Sequence, residues 1–498
     1  MTQVAPTSMN AFNGSKRPQA ATALISGTIV LSAVGMLTST VPMLVFASGA
    51  TLCLVVLLLW RGDDPPILLL PALFQWTEVA IVPLSTMWLK VPLADLSTYG
   101  ANLEKSSLYG LLGICALSIG MWLGSGKSGA PSFSSRLREE AFRWTPSQVM
   151  ITSLALIGIG YGLAFLSGIA GPAREPLNQA ANIKYIGIFL LAYWSLVRGR
   201  NYGVLIVVVG FEIGFGMTGF FAEFKNPILT FFLAAISAKP RLKAVDLLIV
   251  SVPVGVVLAV GIFWSAVKPD YREFVNKGTG AQVVAVPIGD RVDFLTNAAM
   301  EFDGEKVATG FERLVARHGY VEFLGLVMGY IPSAMPPEGG KITAAVFRHI
   351  AVPRFLWPQK PALPSDTEVM SKYTGLPMTW NSDTSISIGY LGELYADFGY
   401  LGGLFGALII GLIVGQSYKL VRTRFASSAI ICAGLCLMVA LPIAYFGTAY
   451  VKMVGAFVMT SVVVILIGQF LMPVFLPNLA TADDLNGRPR VARLRARI

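Results

Sequence analysis

The sequence predicts an all-α polytopic membrane protein of about twelve transmembrane helices, with one large polar loop late in the chain. Three observations carry that prediction. The 498 residues are 54% hydrophobic and only 13% charged, too apolar for a water-soluble fold of several domains. Apolar runs approaching the about 20 residues that a helix needs to cross the hydrocarbon core recur along the chain. Basic residues fall in alternate connections between them, which is the positive-inside pattern.

The candidate spans are residues 20–39, 41–60, 67–88, 107–124, 149–168, 185–197, 203–221, 224–238 and 245–266, then 400–418, 426–446 and 454–474 beyond the polar loop. The sixth and eighth are short. The first follows Lys16 and Arg17 and is as long as a full span, so it reads as an anchor rather than a cleaved signal. With both termini cytoplasmic, the inner connections carry Arg61, Lys127, Arg136, Arg138, Arg143, Arg198, Arg200, Lys239, Arg241, Lys243, Lys419, Arg422 and Arg424, and the tail adds Arg488, Arg490, Arg493, Arg495 and Arg497. Orientation therefore accounts for 38 basic against 28 acidic residues, and nucleic acid is not an expected partner. The chain divides into a cytoplasmic N-terminus (1–19), an N-terminal bundle of about nine helices (20–266), a large periplasmic loop with interfacial helices (267–399), about three C-terminal spans (400–474) and a basic cytoplasmic tail (475–498). The loop is thereby expected to face the periplasm or the cell exterior.

The connection from Gly124 to Gln148 is rich in Ser, Gly and charge, and Arg136 to Arg143 reads as a short surface helix, a solvated connector near anionic headgroups. No repeat of 20–50 residues stands out. Cys53, Cys115, Cys432 and Cys436 all fall inside spans, so no disulfide framework braces the loop, and the pair at 432 and 436 reads as packing rather than as a metal site. Gly210, Gly214 and Gly216 suit close helix packing, not a nucleotide loop, because no strand precedes them. Walker and GxSxG motifs are absent from the sequence. No cofactor or metal is expected.

The polar island from Lys268 to Gly399 holds both histidines. Gly310 to Met328 reads as one helix at the interface, and a second runs from Ile342 to His349 before Pro353. His318 and His349 each follow an arginine, Arg317 and Arg348, and either is able to act as a general base near neutral pH or to be structural. Arg354 and Lys360 sit in a run stiffened by Pro353, Pro358 and Pro361. That run serves equally to aim cations at a diphosphate or to anchor a basic, aromatic segment at headgroup level. Asp383, Thr384 and Ser385 offer helix caps, and the following segment is expected to continue into the tenth span as one helix, with Tyr390, Glu393 and Asp397 on one face. Glu212 lies deep in the seventh span, where an ionisable group is costly, and Glu78 in the third is a weaker instance. Lys225 opens the short eighth span, placed to meet the island or to snorkel.

The many-span layout with one late outer loop, the stretch from Glu223 to Leu229, the run from Pro353 to Pro361, and Gly392-Glu393-Leu394-Tyr395 to Gly399 opening a span together resemble the O-antigen polymerase-like, or Wzy-type, oligosaccharide repeat-unit polymerases. One departure is that no arginine at 313, 317, 348 or 354 is followed, after ten residues, by glycine. The resemblance implies a GT-C-like membrane glycosyltransferase that joins a growing glycan on polyprenyl diphosphate to the next lipid-linked repeat unit, with no metal or nucleotide because the donor carries its own leaving group. It implies, as partners, the polyprenyl-diphosphate-linked donor and acceptor, membrane lipids, a flippase and a chain-length regulator. Lys225, Arg354 and Lys360, with Arg317, Arg348 and Tyr390, would bind the diphosphate and substrate. Glu393, Asp397, His318 or His349 would supply the base. A ligase passing the glycan to another acceptor, and a transporter of lipid-linked sugars or polysaccharide, are the alternatives.

Overall fold

The computed structural model describes residues 19–62, 64–126, 133–217, 225–238, 244–279, 284–352, 357, 359–361, 363–377 and 386–475. Every regular element among them is helical. Seven helical stretches are long and apolar enough to cross a membrane: α1 (Gln19–Thr38), α2 (Pro42–Leu59), α4 (Leu103–Ser125), α6 (Pro146–Ile169), the pair α7 (Arg174–Ala181) and α8 (Lys184–Arg198), α17 (Gly389–Arg424), and the stretch Tyr450–Val474, which α19 (Tyr450–Leu466) opens. These match the first, second, fourth, fifth, sixth, tenth and twelfth expected spans. The other five also hold helices: α3 (Leu69–Leu89), α9 (Tyr202–Met217), α10 (Lys225–Ala238), α11 (Ala244–Val275) and α18 (Ala429–Ala440). The chain is a helical membrane protein.

Between α4 and α6 lies α5 (Phe133–Arg143), and the island carries α12 (Ile288–Met300), α13 (Gly304–His318), α14 (Val321–Tyr330), α15 (Lys341–Ala351) and α16 (Asp366–Thr374). Local sequence sets the helix starts. Asn102, Asp303 and Ser428 accept the amides of Lys105, Lys306 and Ile431, while Thr145 with Gln148 and Ser365 with Glu368 close capping boxes, which satisfy donors that a helix N-terminus leaves open. The expected single helix 310–328 is in fact two, broken where Gly319 caps α13.

The centre of the bundle is α18, every residue of which is buried, with α8 buried from Tyr185 to Ser195. Helices apolar all round belong there. Against α18 packs α17, and against α17 packs α4; the glycines of these two face each other: a Cβ on Gly120 or Gly124 would lie 2.1 or 2.2 Å from the Leu408 or Leu412 carbonyl oxygen, and one on Gly411 or Gly415 would lie 2.1 or 2.4 Å from those of Leu117 or Met121. Two small-xxx-small stripes thus bring the backbones into contact. Gly210 and Gly214, expected to do this, meet nothing within 4 Å among the described residues.

Contacts between segments sort into two ends. At the basic end Arg61 donates to the Trp122 carbonyl (2.7 Å) and to that of Gly126, Asp64 pairs with Arg422 (2.7 Å) and accepts the Phe133 amide (2.9 Å), and Arg198 covers the Phe142 ring at 4.9 Å. There α5 is docked rather than solvated. It buries Phe133, Leu137 and Ala141, and its Glu140 accepts the amides of Ala429 (2.5 Å) and Ile430 (3.2 Å) at the start of α18. At the island end Glu322 of α14 accepts from the Ser97 hydroxyl (2.9 Å) and the Tyr99 amide (2.7 Å).

The island is fastened where α17 breaks. Gly399 has φ 71° and ψ −165°, outside the helical region, a backbone that glycine adopts without steric cost. The break frees carbonyls one turn earlier, and those of Ala396 and Asp397 accept the amides of Glu338 (3.0 Å) and Gly339 (2.8 Å). The expected unbroken helix is therefore two, folded against each other at Gly399: a Cβ on Gly403 would lie 3.2 Å from the Tyr395 backbone nitrogen and one on Gly406 2.9 Å from the Leu394 side chain. The island half is the anchor for α15.

Candidate active site

Two helices each present a pair of buried polar side chains at i, i+3 toward the same stretch of backbone. Gln75 of α3 donates to the Ile443 carbonyl (2.7 Å) and accepts from the Tyr390 hydroxyl (2.9 Å), while Glu78 accepts the amides of Phe446 (2.6 Å) and Gly447 (3.3 Å). From α17, Tyr390 completes the first contact, and Glu393 accepts the Tyr450 amide at 2.8 Å. The stretch they hold, residues 441–449, joins α18 to α19 without regular α-helix. Pro442 helps end α18, because proline lacks the N–H that would continue it. A helix of twelve residues spans only about 18 Å, so this connection folds back within the bundle. Non-helical backbone there must be satisfied by protein, and Gln75, Glu78 and Glu393 do that. Gly389, with φ 76°, is required at the crossing, since a Cβ would lie 2.7 Å from the Phe446 carbonyl oxygen.

Charge gathers around the same connection. The Lys225 ammonium lies 5.4 Å from the Phe74 ring centre and 5.7 Å from that of Tyr445, and these rings meet edge to face at 5.1 Å. Such a cradle stabilises a cation through the ring faces. The Tyr445 hydroxyl donates to Asn226 (2.9 Å), and Lys225 attracts Glu78. On the other flank Lys452, two residues past Tyr450, donates to Asp366 of α16 at 2.5 Å, and both charges act on Glu393. Among the described residues no hydrogen bond reaches the second oxygen of Glu393.

The remaining sequence candidates separate by role. Asp397 is fully buried and spends both oxygens on α15, accepting the amides of Gly340 (2.9 Å), Ile342 (3.1 Å) and Thr343 (2.8 Å). A carboxylate at a helix N-terminus also meets the positive end of its dipole. Lys360 does the reverse at the far end, donating to the carbonyls of Val352 (2.7 Å) and His349. The sequence left it between a diphosphate ligand and an anchor at headgroup level; in the structure its buried ammonium caps the last turn of α15. Arg348 is exposed and His349 half-buried on that helix. Arg317 and His318 end α13, and nothing is described of their side chains; Arg354 lies outside the described residues. Asp383, Thr384 and Ser385 lie outside them too, and α17 begins at Gly389.

Glu212, singled out for its depth, pairs with Lys184 at 3.1 Å, with side chains 1% and 16% exposed. The ammonium is close enough for an ion pair but not aligned for a hydrogen bond, so both Glu212 oxygens lack one among the described residues. Lys184, just before the expected sixth span, lies level with Gly160, well inside α6, and its ammonium is 4.8 Å from the Tyr161 ring centre. Cys432 and Cys436 donate to carbonyls of α17, and no cluster of His, Cys, Asp or Glu suited to a metal occurs among the described residues.

Gln75, Tyr445, Asp366 and Lys452 were missed from sequence. Gln75 had a usable signal, an amide one turn before Glu78 in an apolar run; Asp366 and Lys452 had none, since only the fold brings them together. Comparison of the chain with protein-family models, with curated proteins and with solved structures gives no match.

Proposed function

We propose that this chain is a membrane glycosyltransferase that polymerises polyprenyl-diphosphate-linked oligosaccharide repeat units at the outer face of a bacterial cytoplasmic membrane, within a twelve-span, GT-C-like frame. The observation that carries the reading is the convergence of a cradled cation, Lys225, and a buried carboxylate with one oxygen to spare, Glu393, on a single backbone connection at the island end. The substrate class comes from the sequence resemblance, and the residue roles from the geometry.

In this reading Glu393 takes the proton of the acceptor hydroxyl as its oxygen bonds the anomeric carbon of the donor sugar. The bond from that carbon to the diphosphate breaks, and Lys225 balances the charge on the departing group. General-base assistance contributes about 10²–10⁴ in rate, and fixed cations at the leaving group stabilise the charge that develops there. Glu78 and Gln75 hold the connection that positions both.

One observation favours a second reading. The Lys184–Glu212 pair is buried level with the middle of α6, and ionisable groups buried within a membrane bundle mark ion or substrate pathways, as in a transporter of lipid-linked sugars. Deleting the gene in its native host separates the readings. Loss of a polymerase leaves single repeat units on the lipid carrier and no ladder of glycan lengths. Loss of a ligase leaves the ladder on the carrier, and loss of a transporter leaves lipid-linked units facing the cytoplasm. An unchanged ladder would overturn the proposal.

A further inference from the structure

At the basic end, opposite the candidate active site, a small cavity is lined by Leu59, Arg61, Asp64, Pro65, Ile67, Leu68, Ser125, Tyr418 and Arg422. Its described charged side chains are two arginines and one aspartate, and the two guanidiniums repel each other. Asp64 is the only acid among the described lining residues. It accepts the Phe133 amide with one oxygen and one Arg422 nitrogen with the other, so it balances a single positive charge. Arg61 is held in place by the Leu58 (3.1 Å), Trp122 (2.7 Å) and Gly126 carbonyls and lies 5.5 Å from the Trp122 ring centre. Those neutral partners orient it without cancelling its charge. Arg422 stacks over the Phe133 ring at 4.9 Å and is 16% exposed. Only one of its nitrogens has a hydrogen-bond partner among the described residues, which leaves further donors of its planar fork for a ligand.

We propose that this cavity binds a phosphate-bearing anion at the basic end of the bundle. A single excess positive charge, two guanidiniums fixed by packing, and spare donors beside the Tyr418 hydroxyl are what a phosphate oxygen recognises. Basic pockets between helices at a membrane boundary bind anionic lipid headgroups by this chemistry. A headgroup phosphate and free phosphate share it.

The test uses the purified full chain in phosphatidylcholine nanodiscs, alone, mixed with phosphatidylglycerol, or titrated with inorganic phosphate. Unfolding midpoint and the fluorescence of tryptophan, including Trp122, are followed. Binding should weaken about tenfold in Arg422→Gln or Arg61→Gln, stay unchanged in Arg424→Gln, and tighten in Asp64→Asn, which removes the competing carboxylate but keeps an acceptor for the Phe133 amide. A response to phosphatidylglycerol alone assigns the site to a lipid headgroup, and a response to inorganic phosphate assigns it to a soluble anion. No response to either probe overturns the proposal, as does a response that Arg422→Gln and Arg61→Gln leave intact. If the arginine variants do not fold, Asp64→Asn decides by itself: binding that is unchanged or weaker contradicts the site.

Discussion

Glu393 and Asp397 lie one turn apart on the same face of α17 and are both buried, yet they are engaged differently. Asp397 accepts three amides of α15, whereas Glu393 accepts one, from Tyr450. Removing Asp397 strands those donors and the helix dipole, so Asp397→Ala should destabilise the island by about 1–3 kcal/mol, read as faster hydrogen exchange across α15. Glu393→Gln keeps an oxygen for Tyr450 and removes only the charge. The unfolding midpoint should therefore hold while chain growth falls about a hundredfold or more. Equal loss of stability in both variants would mean that Glu393 is also only a clamp.

Between elements, the contact of α4 with α17 is the tightest. A valine at Gly411 would drive its Cβ into the Leu117 carbonyl, 2.1 Å away. Gly411→Val should cost roughly 1–3 kcal/mol or more, measured as a lowered unfolding midpoint, whereas Gly210→Val, with open space around it, should be neutral. Seven of the expected spans were legible because apolar runs of bilayer length have few other solutions. The stripes Gly120-xxx-Gly124 and Gly411-xxx-Gly415 were just as visible, but a sequence does not say which helix faces which, and the seventh span drew attention instead. The breaks at Gly319 and Gly399 and the non-helical connection after Pro442 carry ordinary glycine and proline signals that do not distinguish a kink from a helix end. Glu393, Asp397 and Lys225 were found because acids and amines beside apolar spans are conspicuous. Which of the two acids caps a helix depends on amides distant in sequence.

Across the molecule, the segments of the island are tied to one another by backbone pairing at Ala396 and Asp397 and by ion pairs that respond to pH. Lys372, donating to Glu338 at 2.6 Å, holds that carboxyl below its ordinary 4.5, and Glu338 raises Lys372 above 10.5. An acid with a lowered folded value contributes stability above its unfolded value and loses it as pH falls through the folded one; a raised lysine contributes below its unfolded value and loses it as pH rises through the folded one. The stability difference between wild type and Glu338→Gln should thus be constant near neutrality and shrink at both extremes, and half-exposed Lys372 limits it to about 1 kcal/mol. The account as a whole rests on Lys225 and Glu393 acting together at the connection between α18 and α19. The most direct test is the length distribution of the lipid-linked glycan in cells carrying Glu393→Gln or Lys225→Ala at wild-type protein level. The account predicts collapse of the ladder to single repeat units in both, and a full ladder in both would contradict it.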